Sequence, residues 1–321
     1  MLRYNPLLGT WTMVAANRQQ RPHLPKDYCP FCPGSGKVPP HYEVMKYDND
    51  FPTLSGNPEE ISQPPFYRAA PAYGHCEVIL YSPDHHASLY HLSDEHLFKL
   101  VALWKERFIE LAKDPQVKYI FIFENRGEEV GVTMHHPHGQ IYAYSWVPLK
   151  IEHEIAQCRL WFEQHQSPLI PDMTHAEMLD KQRVITVNDH FVAFIPYFTD
   201  YPYGVFITPL QPKNSLADME ENELKSLGSI LKHITGAFDQ LFYRPFPYMM
   251  CFHQVPVNTG IDVSKFYHFH IEFYTPLRAA DKIKWYASSE MGAWAAANTR
   301  LVEDCAEELR MALKKFKSVE R

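Results

Sequence analysis

Basic charge, long apolar runs and closely spaced cysteines are all scarce in this chain. Its 321 residues carry 31 Lys and Arg against 38 Asp and Glu, a net charge of −7. A general nucleic-acid surface would push that balance the other way, so no nucleic-acid partner is expected. Small anionic ligands stay open, because a few local arginines suffice for them. No stretch approaches the roughly 20 apolar residues of a membrane span, so no membrane partner is expected. The opening Met1 to Pro6 lacks the apolar core of a secretory signal, which predicts a cytoplasmic protein. Of the six cysteines only Cys29 and Cys32 are close together, which excludes a disulfide framework.

Histidine, by contrast, is plentiful at 18 residues, and Tyr and Phe are abundant. The first 70 or so residues are rich in Pro, Gly, Asn and Asp and read mainly as loop, with a short strand at 11–15. Loop of that length calls for a metal or ligand to fix it. A strand is predicted at 76–81 and a helix from the Ser93 cap to about Ala112. Strands at 119–123 and 138–144 follow. The second half repeats the plan: a hairpin at 184–195 turning at Asn188, a strand at 203–208, a helix from Met219 to about Tyr243, and strands at 248–252 and 266–274. A closing helix spans about 299–316 with Leu301, Cys305, Leu309 and Leu313 as its apolar stripe. Each half ends its series on a His-x-His strand. That predicts an α+β fold built by internal duplication, with domains at 1–170 and 171–321.

His136-Pro137-His138-Gly139-Gln140 carries the most chemistry. On a strand, side chains at i, i+2 and i+4 share a face, so two imidazoles and one amide converge. A histidine held there can attack phosphorus. Gln140 can donate a hydrogen bond but cannot deliver a proton, which favours group transfer over hydrolysis. Cys29-Pro30-Phe31-Cys32 has zinc-knuckle spacing; with no second C-x2-C, the remaining ligands must be distant, with His85, His86 and His136 as candidates. His268 and His270 form a further pair that could join His253 and a carboxylate such as Glu154 around zinc or ferrous iron. The bland alternatives are a reduced cysteine pair and histidines hydrogen-bonded within a core.

Taken together, CPFCPG at 29–34, NDFP at 49–52, SPDH at 82–85, FENRG at 123–127, HPHGQ at 136–140, FHQVP at 252–256 and YHFHIEFYTPL at 267–277 resemble the galactose-1-phosphate uridylyltransferase family, a branch of the histidine-triad superfamily. The resemblance spans nearly the whole chain. It implies a duplicated, histidine-triad-like half-barrel of mostly antiparallel strands with outer helices. It implies His138 as nucleophile and Gln140 as holder of phosphoryl oxygens. Zinc ligands map to Cys29, Cys32, His85 and His136, and a second metal, iron or zinc, to Glu154, His253, His268 and His270. Arg18, Arg21, Asn125 and Thr133 fall near the phosphates, Asn49 and Asp50 near uridine, and Lys284 and Glu290 near the sugar. UDP-glucose and galactose 1-phosphate are the implied substrates, and a homodimer the implied assembly.

The sugar end departs from the family pattern. Ser289 stands where a tyrosine is expected and Ala296 near an expected glutamine; Thr133 replaces a serine and His135 an asparagine. An ADP-glucose phosphorylase or adenylyltransferase-like enzyme is one competing reading, weakly opposed by Asn49 and Asp50. A histidine-triad hydrolase is another, opposed by Gln140. A metal-stabilised binding module would leave His138 without a task.

Overall fold

The computed structural model describes residues 1–20 and 28–319. In chain order the principal elements are β1 (Met45–Asp48), β2 (Gly74–Leu80), α1 (Asp94–Ala112), β3 (Tyr119–Arg126), β4 (His138–Tyr144), α2 (Leu149–His165), α3 (Leu169–Asp180), β5 (Val184–Val187), β6 (Phe191–Phe194), β7 (Phe206–Pro209), α4 (Glu221–Phe242), β8 (Tyr248–His253), β9 (His270–Tyr274) and α5 (Val302–Val319). The strands form one nine-stranded sheet in the order β1-β2-β4-β3-β8-β9-β7-β6-β5, and every neighbouring pair is antiparallel. Reading outward from the β3–β8 seam, both sides run in the same sense: β3-β4-β2 on one, β8-β9-β7 on the other. The duplicated α+β half-barrel plan is therefore present in the strand order itself.

Alternation sorts the two faces. Ile120 and Ile122 of β3, Ile141 and Ala143 of β4, Met250 and Phe252 of β8, and Ile271 and Phe273 of β9 are buried in the main core with α1, α4 and α5. Leu97, Leu100, Val101, Trp104 and Phe108 recur at helical spacing to build the α1 side of that core. The Ser93 hydroxyl accepts the His96 amide (3.2 Å) and starts this helix. The opposite face of the sheet carries His138, Gln140, Tyr142 and Tyr144 on β4, and Tyr119, Phe121, Phe123 and Asn125 on β3. Part of it is covered by α2 and α3 through Ile151, Cys158 and Ile170.

The 266–274 strand is shorter than expected, beginning at His270. Helix α2 was not anticipated. It follows Pro148, and only Ile151 and Cys158 are buried along it, so its apolar pattern is faint. Residue 170 lies in α3. Among the described residues no helix is long and apolar enough to cross a membrane.

Candidate active site and metal centres

Strand β4 begins at His138, and the strand alternation places His138 and Gln140 on the open face. Gly139 points the other way. A Cβ there would run into the Tyr81 hydroxyl and come within 3.1 Å of the Phe123 carbonyl. Glycine is therefore required by the core beneath the strand, not by a phosphate approaching from above. The His138 Nδ1–H donates to the carbonyl of His136 (2.7 Å). This fixes the ring and, in the neutral imidazole, leaves the lone pair on Nε2. The Tyr142 hydroxyl donates to Gln140 Oε1 (3.4 Å), so the Gln140 amide hydrogens remain to meet an anion.

Above these residues lies a cavity of about 240 Å³ lined by Arg18, Asn125, Thr133, His138, Gln140 and Tyr142, among others. Five residues anticipated from sequence thus converge. Arg21 lies outside the described residues. Asn49 and Asp50 do not line this cavity. The Asn49 side chain accepts the Phe51 amide (2.9 Å), and Asp50 accepts the Tyr47 hydroxyl (3.0 Å). A second cavity of about 690 Å³ shares Phe123 and Asn125 with the first and extends to Glu290, Tyr286 and Trp294. Lys284 is not among its lining residues. It is buried, its Nζ donates to the Asp200 carbonyl (2.8 Å), and its ammonium lies 4.2 Å from the Tyr286 ring centre.

Cys29, Cys32, His85 and His136 bring one donor atom each to within 4.8 Å of one another. Cys29 Sγ is 3.6 Å and Cys32 Sγ 3.7 Å from His136 Nδ1, and Cys32 Sγ is 3.4 Å from His85 Nδ1. Tetrahedral zinc with ordinary bond lengths sets sulfur and nitrogen about 3.6 Å apart, so the spacing fits. The His136 Nε2–H donates to the buried Ser82 carbonyl (2.8 Å), which turns Nδ1 toward the thiols. Burial holds the His136 imidazole down at about 4, hence neutral, as a ligand must be. Burial, then Cys29, pushes the Cys32 thiol up to about 11, and a cation is what would hold this pair as thiolates.

A second cluster joins Glu154, His253, His270 and Glu272. His253 Nδ1 lies 2.8 Å from Glu154 Oε2, and His270 Nε2 lies 3.3 Å from Glu272 Oε1. Burial opposes ionisation of Glu154, but His253 outweighs it and keeps the carboxyl below its usual value. His268, expected in this set, is not one of the four; Glu272, which was not anticipated, is. The Glu154 Oε1 atom is buried without a hydrogen-bond partner among the described residues, and the Lys150 ammonium lies 3.6 Å from it. Lys150 Nζ is 2.6 Å from Glu272 Oε2. Lys150 and Tyr142 were also missed. Glu272 had a signal, His-x-His-x-Glu at the spacing of His-x-His-x-Gln; Lys150 had none.

Two family models match the chain, the N-terminal domain of galactose-1-phosphate uridyl transferase over residues 1–148 and its C-terminal domain over 154–316. The galactose-1-phosphate uridylyltransferase of Thermotoga maritima is 40% identical over 313 residues, covering 96% of this chain and 97% of the relative. That of Haemophilus influenzae is 31% identical, covering 90% and 88%. A solved uridylyltransferase structure superposes with a TM-score of 0.89 at 29% identity, covering 98% of both chains. An ADP-glucose phosphorylase from Arabidopsis thaliana has a TM-score of 0.77 over 97% of both chains at 23% identity, a likeness of fold.

Proposed function

The chain belongs to the galactose-1-phosphate uridylyltransferase family and is a nucleotidyltransferase acting on UDP-sugars through a histidine-based site, and on that premise we propose that His138 carries uridylyl from UDP-glucose to galactose 1-phosphate. The observation that carries this reading is the His138 Nδ1 to His136 carbonyl hydrogen bond beside Gln140 in a cavity that also holds Arg18. Nε2 attacks the α-phosphorus in line. The bond to the bridging oxygen breaks, and glucose 1-phosphate leaves with the electron pair. Its phosphate is a good leaving group, so no acid is needed, which suits glutamine in the third position. The ring gains a positive charge while bonded to phosphorus, and the Nδ1–H bond to the carbonyl stabilises it. A phosphate oxygen of galactose 1-phosphate then attacks the same phosphorus, and Nε2 departs with its pair. One site serves both half-reactions.

Arg18, Asn125, Thr133 and the Gln140 amide hold phosphoryl oxygens as charge builds on them. Arg21 is assigned to the phosphates as well. Glu290 accepts sugar hydroxyls, and Lys284 acts from behind by anchoring that segment to Asp200. Asn49 and Asp50 are assigned to uridine, and the assembly to a homodimer. Zinc at Cys29, Cys32, His85 and His136 would pin the N-terminal loops against β4, and a second ion, iron or zinc, at the C-terminal cluster would be structural. We place the protein in the cytoplasm and its domain divide near residue 170. Initial velocities with both substrates varied should give parallel double-reciprocal lines. Intersecting lines, or faster turnover of ADP-glucose than of UDP-glucose, would overturn the reading.

A further inference from the structure

Three stretches of chain that lie far apart in the sequence meet at one hydroxyl. Tyr42 comes shortly before β1, half-buried, and packs against the small cluster of Phe31, Val38, Val78 and Leu80. Its hydroxyl donates to the Phe31 carbonyl (2.7 Å), with the Ser82 carbonyl 3.0 Å away. The same oxygen lies 2.9 Å from His136 Nε2, so the N–H there is shared between Tyr42 and the Ser82 carbonyl (2.8 Å). Burial, then Cys32 and Cys29, raises the Tyr42 hydroxyl above its usual value, so it keeps the proton it donates.

Two of these contacts lead on to the nucleophile. The first runs through His136, whose own carbonyl accepts His138 Nδ1–H (2.7 Å). Tyr42 and Ser82 hold the His136 ring, while the Tyr81 amide holds the next carbonyl, that of Pro137 (3.0 Å). The His136 carbonyl is thereby fixed from both sides. The second runs through Phe31, whose backbone Tyr42 anchors and whose buried ring lies 5.8 Å from the His138 ring and 5.9 Å from the His136 ring, centre to centre. Tyr42 is not among the residues lining the cavity above His138, so it acts through these neighbours and not on the substrate. We propose that Tyr42 is a positioning residue for the transfer: its hydroxyl fixes the His136 carbonyl and the Phe31 ring that together set the His138 imidazole, and so keeps Nε2 free and aimed at phosphorus. A hydroxyl that only closed the cysteine loop would leave the tautomer of His138 and its rate of attack untouched.

This deepens the transfer reading above and rests on it for the role of His138. The test compares the purified full chain as wild type, Tyr42→Phe and Tyr73→Phe. The last deletes a hydroxyl bonded to Asp114 (2.6 Å), beside the end of β2 remote from His138, and so controls for the loss of any one such bond. In a single turnover with UDP-glucose, Tyr42→Phe should label His138 about 10–100-fold more slowly than wild type, the usual cost of losing a supporting partner. Its affinity for UDP-glucose and its zinc content should be unchanged. Imidazole nitrogen NMR, with His138 assigned through His138→Asn, should show the proton of the neutral ring on Nδ1 in wild type and Tyr73→Phe, and shared between both nitrogens in Tyr42→Phe. A labelling rate or a His138 tautomer that Tyr42→Phe leaves unchanged, equal losses in Tyr73→Phe, loss of zinc from Tyr42→Phe, or its failure to fold would each overturn the assignment. Failure of wild type to label His138 would instead count against the transfer reading, and the tautomer would still test Tyr42.

Discussion

Glu124 is a carboxyl buried in the core beneath the nucleophile strand, on the face of β3 opposite Asn125. Its Oε1 accepts the Tyr248 hydroxyl at 3.0 Å. Burial pushes the carboxyl up from 4.5 to about 7; Arg126 and the hydrogen bonds pull the other way and do not offset it. The folded protein therefore keeps the proton over a range where the unfolded chain has lost it. Stability is fully present below pH 4.5, falls as pH rises, and levels off above about 7. At about 1.4 kcal/mol per pH unit the loss is about 3 kcal/mol. Glutamine at this position is neutral throughout. The advantage of Glu124→Gln over wild type should therefore grow by about 3 kcal/mol between pH 4.5 and pH 8, measured by urea denaturation with both proteins at each pH. Taking the difference removes every other titration the two share. A difference that is flat with pH, or that shrinks as pH rises, would refute the reasoning.

Four further outcomes follow from named contacts. Gly139→Ala drives a methyl group against Tyr81 and should cost roughly 1–3 kcal/mol in denaturation; Tyr81→Phe in the same chain should restore part of it by removing the hydroxyl. Cys29→Ala should remove about one zinc per chain and lower the melting temperature, because the 29–45 region then loses its anchor to β4. Gln140→Ala should slow the single-turnover transfer step by roughly 10²–10³-fold with its fold intact by circular dichroism, as expected for loss of a donor to developing phosphoryl charge. His138→Asn should abolish turnover altogether while leaving metal content unchanged, since His138 is in neither donor cluster.

The strongly periodic parts of this fold were legible in the sequence. Helices α1 and α4 announce themselves through apolar residues at helical spacing, and β4 through the alternation after His138. The His138 site was legible because it is local: His138 and Gln140, two apart on one strand, are put on one face by the pleat, whereas His136 precedes the strand and turns to the cysteines instead of joining them. The cysteine cluster needed the resemblance to join residues 29, 32, 85 and 136, since no spacing rule links them. Helix α2 was hidden because most of its surface meets solvent or cavity and leaves little apolar period. That omission concealed Lys150, which meets Glu272 only across 122 residues of chain. Lys284 was expected in a ligand site and is instead buried beneath one, an orientation set by Asp200 and Tyr286 that no motif specifies.

The central claim is that a uridylyl group passes through Nε2 of His138. The most direct measurement is a single turnover of purified protein with uracil-labelled UDP-glucose and no acceptor, followed by mass analysis of residue 138. The account predicts a uridylylated His138 that galactose 1-phosphate discharges as UDP-galactose. An unlabelled His138, in a preparation that still converts the two substrates together, would contradict it.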